Sequence, residues 1–244
     1  MAKPVLLIAG GSRGIGAATA RLAATRGYDI AINYKSNSDA AAELVEAIKL
    51  AGAHAVAIQG DMAKEEDIEH VFRFAGEIGP LTHFVHSAGI TGRSSRLDAV
   101  EAATVREVLD VNVLGPLLCL RAAIRRMSTK HGGPGGAIVL ISSMAAKIGG
   151  MNEYTWYAAA KGAVDTMTMG VAREVAKENV RINAVSPGLI DTEIHEPGRL
   201  ERVAPLTPMG RAGSANEVAE AILFLLSDAA SYINGAVLNV SGAR

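Results

Sequence analysis

Tyr157 and Lys161 stand four positions apart in Asn152-Glu-Tyr-Thr-Trp-Tyr-Ala-Ala-Ala-Lys-Gly162, separated by three alanines. Alanine is the strongest helix former, and residues at i and i+4 share one helical face. The spacing predicts a helix that aims the phenol and the ammonium the same way. A fixed cation beside a phenol favours the phenolate and pulls its pKa down from about 10. A tyrosine tuned in this way can give or take a proton in catalysis. The same residues also describe a solvated lysine beside a packed tyrosine, so the surrounding chain decides between the two. Tyr154 cannot lead such a pair, because Ala158 follows it where a lysine is needed.

The elements that would position this pair begin with Val5-Leu-Leu-Ile-Ala9, a continuous apolar run of the kind buried on both faces of a parallel sheet. Gly10-Gly-Ser-Arg-Gly14-Ile-Gly16 follows at once, and helical patterning runs from Ala17 to Arg26. Strand, glycine-rich turn and helix in that order are the setting of a dinucleotide-binding turn. Gly10 permits the sharp turn, Gly14 lets a pyrophosphate approach the backbone, and Gly16 lets the helix pack on the strand. The N–H groups of Ser12, Arg13 and Ile15 then belong to the helix start that would face the phosphates.

Strand then alternates with helix along the chain. Strands are expected at Asp29–Asn33, His54–Gln59, Leu81–His86, Ala137–Ile141, Val180–Val185 and Ala236–Val240. Helices are expected at Ser38–Leu50, with Ser38 as N-cap, at Lys64–Gly76, Glu101–Met127, Tyr157 to Lys177 and Asn216–Ser227. The alternation predicts an α/β fold, a doubly wound parallel sheet of about seven strands with helices on both faces. Residues 1–244 read as one domain, with a polar, proline-containing lid at about 193–213. Ligands of such sheets bind off the carboxyl ends of the strands, where Gly10, Tyr34, Asp61, Met62, Ala88 and Gly89 fall.

Composition narrows the classes. The chain has 244 residues, 49% hydrophobic and 20% charged, which excludes disorder. A formal net charge of −1 gives no field for nucleic acid or an anionic membrane. The lone Cys119, in Leu117-Leu-Cys-Leu120, reads as a small buried apolar group. The six histidines show no metal-ligand spacing. Met1-Ala-Lys-Pro4 carries no signal-peptide pattern, and no apolar run nears the roughly 20 residues that span a bilayer. The expectation is a soluble cytoplasmic protein.

At the end of the second strand, an NAD site usually holds an Asp or Glu for the ribose 2′-hydroxyl. Tyr34 stands there instead, followed by Lys35 and Ser36, with Arg13 nearby in the glycine turn. Two cations and a hydroxyl suit a 2′-phosphate. The reading favours NADP (NADPH) over NAD; ordinary solvated surface charges are the plain alternative. Asn112, inside an expected helix, carries a propensity cost that suggests a purpose.

Taken in order, Gly10-x-x-x-Gly14-Ile-Gly16, Ala88-Gly89, Asn112, Ser143, Tyr157-x-x-x-Lys161 and Pro187-Gly188 resemble the short-chain dehydrogenase/reductase family over essentially the whole chain. The resemblance implies a Rossmann-type fold and hydride transfer between NAD(P) and an alcohol or carbonyl carbon. It implies Tyr157 as general acid/base, Lys161 on the nicotinamide ribose, Ser143 on the substrate oxygen, and Asn112 holding a water that links Lys161 to solvent. Ser143 is preferred to Ser142 because the family's serine is the second of such a pair. Thr192, after Pro187-Gly188 and Ile190, is placed for the carboxamide, and Asp61 for the adenine amino group. A homotetramer is also implied, with the 163–175 helix face and the C-terminal strand at its interfaces.

The chain departs from the family pattern at Ala9, where a threonine is usual, and at His86-Ser-Ala-Gly89, where Asn-Asn-Ala-Gly is usual. Ser87 could supply the hydroxyl missing at Ala9, and His86 reads as structural. Arg199, Arg202 and Arg211 in the lid read chiefly as solvated charges, with an acidic substrate as the alternative. Beta-ketoacyl-carrier-protein reductase and glucose or sugar dehydrogenase are the alternatives within the family. A sugar epimerase or dehydratase would have a larger C-terminal substrate region than this chain. A non-catalytic dinucleotide sensor is the alternative from another class. It would have no need of Ser143, Tyr157, Lys161 and Asn112 together.

Overall fold

The structure, a computed structural model, describes residues 3–244; Met1 and Ala2, which open the stretch without a signal-peptide pattern, lie outside the described residues. The first half runs β1 (Val5–Ala9), α1 (Gly14–Thr25), β2 (Asp29–Tyr34), α2 (Ser38–Leu50), β3 (Ala55–Gln59), α3 (Glu65–Ile78) and β4 (Leu81–His86). The second half runs α4 (Ala102–Leu109), α5 (Gly115–Met127), β5 (Gly136–Ile141), α6 (Ala145–Ile148), α7 (Thr155–Glu174) and β6 (Val180–Pro187), then the short β7 (Ile190–Asp191). It closes with α8 (Arg199–Val203), the short β8 (Gly213–Ser214), α9 (Ala215–Leu226) and β9 (Val237–Val240).

Seven strands form one sheet in the order β3-β2-β1-β4-β5-β6-β9, and every pairing in it is parallel. The central strands read as unbroken apolar runs because alternate residues feed opposite cores. Val5, Leu7 and Ala9 of β1 face a core built with Phe72, Phe84, Leu120 and Met127. Leu6 and Ile8 face another with Leu44, Ile48, Ile222 and Leu226. Full burial of each such leucine or isoleucine contributes about 1.5–3 kcal/mol. The strand order reverses between β1 and β4, which opens the crevice that the ends of those strands share.

Several boundaries differ from the sequence expectation. The first helix opens at Gly14, inside the glycine motif, with Ala17 N donating to Arg13 O at 3.1 Å. Asn37, not Ser38, caps α2: its side chain accepts from Ala40 N at 3.0 Å. The catalytic-helix candidate α7 ends at Glu174, and a 3₁₀ turn over Ala176–Glu178 carries the chain on. The helix expected over 101–127 is broken by a π turn at Asp110–Leu114 between α4 and α5. Two contacts explain it. A methyl group at Gly115 would lie 2.4 Å from Met62 O, so only glycine lets the helix pass there. Asn112 is turned inward at the same place. π turns recur where a functional side chain must be re-aimed.

No helix among the described residues is long and apolar enough to cross a membrane, and none of their His, Cys, Asp and Glu side chains cluster as a metal site. Cys119 is buried beside Met62, and burial pushes its thiol pKa up, consistent with a packing role.

Candidate active site

Tyr157 lies in the first turn of α7 and Lys161 one turn on, and the Lys161 Nζ stands 5.7 Å from the Tyr157 ring centroid. Lys161 is buried, at 5% exposure, and Nζ donates to the Ile141 carbonyl at the end of β5 at 2.7 Å. Burial lowers its pKa to about 8, against the nearby Asp165 carboxylate. Asp165 in turn takes a hydrogen bond from Ser142, whose Oγ also lies 3.3 Å from Lys161 O. Ser142 is thus a structural residue that ties β5 to α7.

Ser143 faces the other way. Its hydroxyl oxygen accepts from Ala145 N at 3.1 Å, which leaves its proton free. It lies close enough to the Tyr157 phenol to favour the phenolate, yet the two share no short hydrogen bond. Burial outweighs Ser143 and holds the Tyr157 phenol above its ordinary value. This corrects the expectation that Lys161 lowers it. The ammonium stands over the ring and donates to the Ile141 carbonyl, and Tyr157 as a whole is half-buried.

Asn112 reaches in from the π turn. Its Oδ1 accepts from Ile90 N at 3.0 Å and its Nδ2 donates to Ile90 O at 2.7 Å. Gly89 fits between the two polar residues: a methyl group there would lie 3.2 Å from Asn112 Oδ1 and 3.5 Å from Lys161 Nζ. His86, at the end of β4, is fully enclosed, and burial together with the Lys161 charge lowers its pKa to about 3. Its Nε2 has no hydrogen-bond partner among the described residues.

At the opening of the crevice, Gly10 has φ of +70° and Gly14 of +51°, in the region that favours glycine. Gly10 packs on Ala88, where a methyl group would lie 2.7 Å from its backbone; one at Gly16 would meet Gly10 O at 2.3 Å. Arg13 occupies the N-cap of α1 but makes no side-chain cap, so the N–H groups of the first turn keep no side-chain partner there. Asn33, absent from the residues expected at the site, accepts from Gly10 N at 3.2 Å and donates to Gly60 O at 2.9 Å. A polar residue in the apolar run of β2 is the signal that marks it. Ser87 meets Ala9 through its backbone N–H, at 2.9 Å, and its hydroxyl makes no short hydrogen bond among the described residues. The expected side-chain compensation for Ala9 is therefore not made.

Around the far corner, Tyr34 ends β2 half-buried, while Lys35, Ser36 and Arg13 are exposed. Lys35 is not a free surface charge: its Nζ lies 2.9 Å from Asp61 Oδ2. Burial pushes the Asp61 carboxyl up, but the Lys35 and Ala63 hydrogen bonds hold it below its ordinary value. Ser12 and Ile15 are half-buried in the turn. The side chains of Met62 and Ile190 point into the cores, which leaves only their backbones to face a ligand. Pro187 is buried and Gly188 abuts Ser241 backbone. Thr192 rests on the glycine turn, its Cγ2 3.4 Å from where a methyl group at Gly14 would lie.

The lid residues divide. Arg211 pairs with Glu217, which also completes the capping box of α9 with Ser214, and Arg202 is exposed. Arg199 is not solvated, contrary to expectation. Its side chain is 12% exposed, bonds Glu153 Oε1 at 2.6 Å and lies over the Tyr154 ring at 5.2 Å. Nothing local in the sequence marks this contact, because Glu153 and Arg199 are 46 residues apart.

Comparison with known proteins places this geometry. The family described as Enoyl-(Acyl carrier protein) reductase matches residues 9–242. An uncharacterized oxidoreductase of Escherichia coli (strain K12), YgfF, is 44% identical, over 98% of this chain and 99% of that one. A cis-4-hydroxycyclohexanecarboxylate dehydrogenase of Sinomonas cyclohexanicum is 37% identical, over 99% of this chain and 96% of that one. A short chain dehydrogenase from Burkholderia cenocepacia J2315, solved in complex with NADP, superposes with a TM-score of 0.90 at 32% identity, covering 98% of this chain and 96% of that one. The chain belongs to the short-chain dehydrogenase/reductase family. It is an oxidoreductase of that family, built on the Rossmann-type sheet described above.

Proposed function

We propose that the chain is an NADP-dependent oxidoreductase that interconverts a carbonyl and a secondary alcohol, with Tyr157 as general acid/base. The observation that carries this reading is the meeting of three side chains in one crevice. Ser143 keeps a free hydroxyl proton opposite the Tyr157 phenol, and the buried Lys161 ammonium stands over the Tyr157 ring.

The glycine turn suits a dinucleotide. Its tight packing at Gly10 and Gly16 and the side-chain-free N-terminus of α1 leave backbone donors for a pyrophosphate. Gly10, Ser12, Gly14, Ile15 and Gly16 would hold it. Arg13, Lys35 and Ser36, beside Tyr34, would hold the 2′-phosphate; Asp61 and Met62 would border the adenine, and Ala88 and Gly89 its ribose side. Pro187, Gly188, Ile190 and Thr192 would border the nicotinamide. A solved relative that holds NADP supports the choice of cofactor. When bound, the nicotinamide supplies the hydride.

The chain's own part is proton handling and orientation. Ser143 donates to the substrate oxygen and Tyr157 donates its proton to the same atom in reduction, or accepts it in oxidation. A positioned proton donor contributes about 10²–10⁴-fold. Burial keeps the Tyr157 phenol protonated near neutral pH, the form a reductase needs. The Lys161 ammonium offsets the charge left on Tyr157 when the proton departs. Asn112 fixes Ile90, and with it Gly89, against Lys161; the bonding capacity its amide does not spend there would hold a water.

In this reading residues 1–244 act as one cytoplasmic unit with 193–213 as its lid, assembled as a homotetramer. Exposed Met169, Phe224 and Leu238 on α7, α9 and β9 support such an assembly. The test is NADPH absorbance against a panel of ketones, aldoses and acyl thioesters. At least one class should consume NADPH faster than NADH; no turnover with any carbonyl, or a preference for NADH, would contradict the reading.

A further inference from the structure

We propose that Glu153 and Arg199 form a latch that holds the 193–213 segment over the crevice and must open for a nicotinamide dinucleotide to enter or leave. The inference rests on the dinucleotide reading above and adds a control on access to that site.

The segment touches the crevice at its base and again at α8. At its base, Thr192 and Glu193 overhang the glycine turn: a methyl group at Gly14 would lie 3.4 Å from Thr192 Cγ2 and 3.7 Å from Glu193 Oε2. A pyrophosphate at Gly14 would lie against these side chains, so the base of the segment covers the turn. Further along, α8 is pinned by Arg199, whose Nη1 donates to Glu153 Oε1 at 2.6 Å. The guanidinium also lies 5.2 Å from the Tyr154 ring centroid. Glu153 and Tyr154 immediately precede α7, the helix that carries Tyr157 and Lys161.

The anchor side is well held. Glu153 O accepts from Ser95 N at 3.1 Å, and the Tyr154 and Tyr157 rings meet edge to face at 6.5 Å. His195, four residues before Arg199, bonds Ile190 O at 2.9 Å and fixes the near limb of the segment. One ion pair therefore joins the loops after β5 and β6. An ion pair of this kind, desolvated on the arginine side and only partly exposed on the glutamate side, is worth more than an open surface pair. It is also reversible without unfolding, since Glu153 keeps one face in water. Arg202 and Arg244 add weaker fields at Glu153. Glu153 and Arg199 are positioning residues, with no role in proton transfer.

The test is a double-mutant cycle in the full chain with Glu153→Gln, Arg199→Gln and the double variant. Melting temperatures identify any variant that has lost its fold. Amide hydrogen exchange of 193–206 in the ligand-free protein reports lid opening directly. Stopped-flow fluorescence reports NADPH association and dissociation. Each single variant should exchange the lid and release NADPH about tenfold faster, and the double variant no faster than either single. Arg199→Lys, which keeps the charge, should recover most of the wild-type rate. Lid exchange unchanged in folded Glu153→Gln, or effects that add in the double variant, would overturn the latch. Failure of the wild-type chain to bind NADPH would instead sink the dinucleotide reading, while the exchange experiment still decides whether the latch exists.

Discussion

Asn112 clasps Ile90 from both sides, accepting from its N–H at 3.0 Å and donating to its carbonyl at 2.7 Å. The side chain comes from a π turn and the backbone from the loop after β4, so the clasp joins a helix break to a strand end. Gly89, pressed between Asn112 and Lys161, is fixed by the same contact.

Asn112→Ala leaves both Ile90 backbone groups without this partner. An unsatisfied group costs about 1–3 kcal/mol when fully buried; the two Ile90 groups are only half-buried and fall at the low end, so a loss of about 2–4 kcal/mol in unfolding free energy is expected. Denaturant titration measures it. Turnover should fall as well, because Gly89 is released against Lys161. A variant as stable as the parent would show that the clasp holds nothing.

At the second corner, Lys35 is paired with Asp61 yet sits where a 2′-phosphate is expected. Arg13→Ala with Lys35→Ala should weaken NADPH binding roughly 10–100-fold and NADH binding far less, on the usual strength of charged hydrogen bonds. Calorimetric titration with both dinucleotides checks it. Equal losses would mean that neither side chain reads the phosphate.

The stability of the chain should fall in mild acid. Burial lowers His86 to about 3 and His83 to about 4, both below the ordinary value of 6.5. The unfolded chain then binds more protons than the folded one between those values and 6.5. Stability from each histidine is fully present above pH 6.5 and is lost as pH falls towards 4 and 3. At pH 5 the loss is about 2 kcal/mol for each. His86→Asn should flatten the decline in melting temperature between pH 6.5 and 5; an unchanged slope would show that His86 is not held neutral.

Much of this architecture is legible in the order of residues alone. The bounds of β1 and β4 match the expected ones residue for residue, because apolar runs and turn residues are local signals. Tyr157 and Lys161 meet as their spacing suggests, and Ser143 stands beside Tyr157 as the family resemblance implies. What is not legible depends on contacts between distant segments. The π turn follows from the approach of Gly115 to Met62 and from the Asn112 clasp. The direction of the Tyr157 shift follows from burial, which a helix spacing does not encode. Arg199 reads as a loop charge because its partner, Glu153, lies before another helix. Asn37 takes the cap of α2 from Ser38 by a single position, because its side chain is the one that reaches the free Ala40 N–H.

The central claim is that the Tyr157 phenol moves the proton. Tyr157→Phe removes only the hydroxyl and keeps the ring that packs on Lys161 and Tyr154. Single-turnover NADPH oxidation, with a carbonyl that the parent chain reduces, is the most direct measurement. The account predicts near-normal NADPH binding and a rate about 10²–10⁴-fold lower. A Tyr157→Phe variant that binds NADPH and turns over at the parent rate would contradict it.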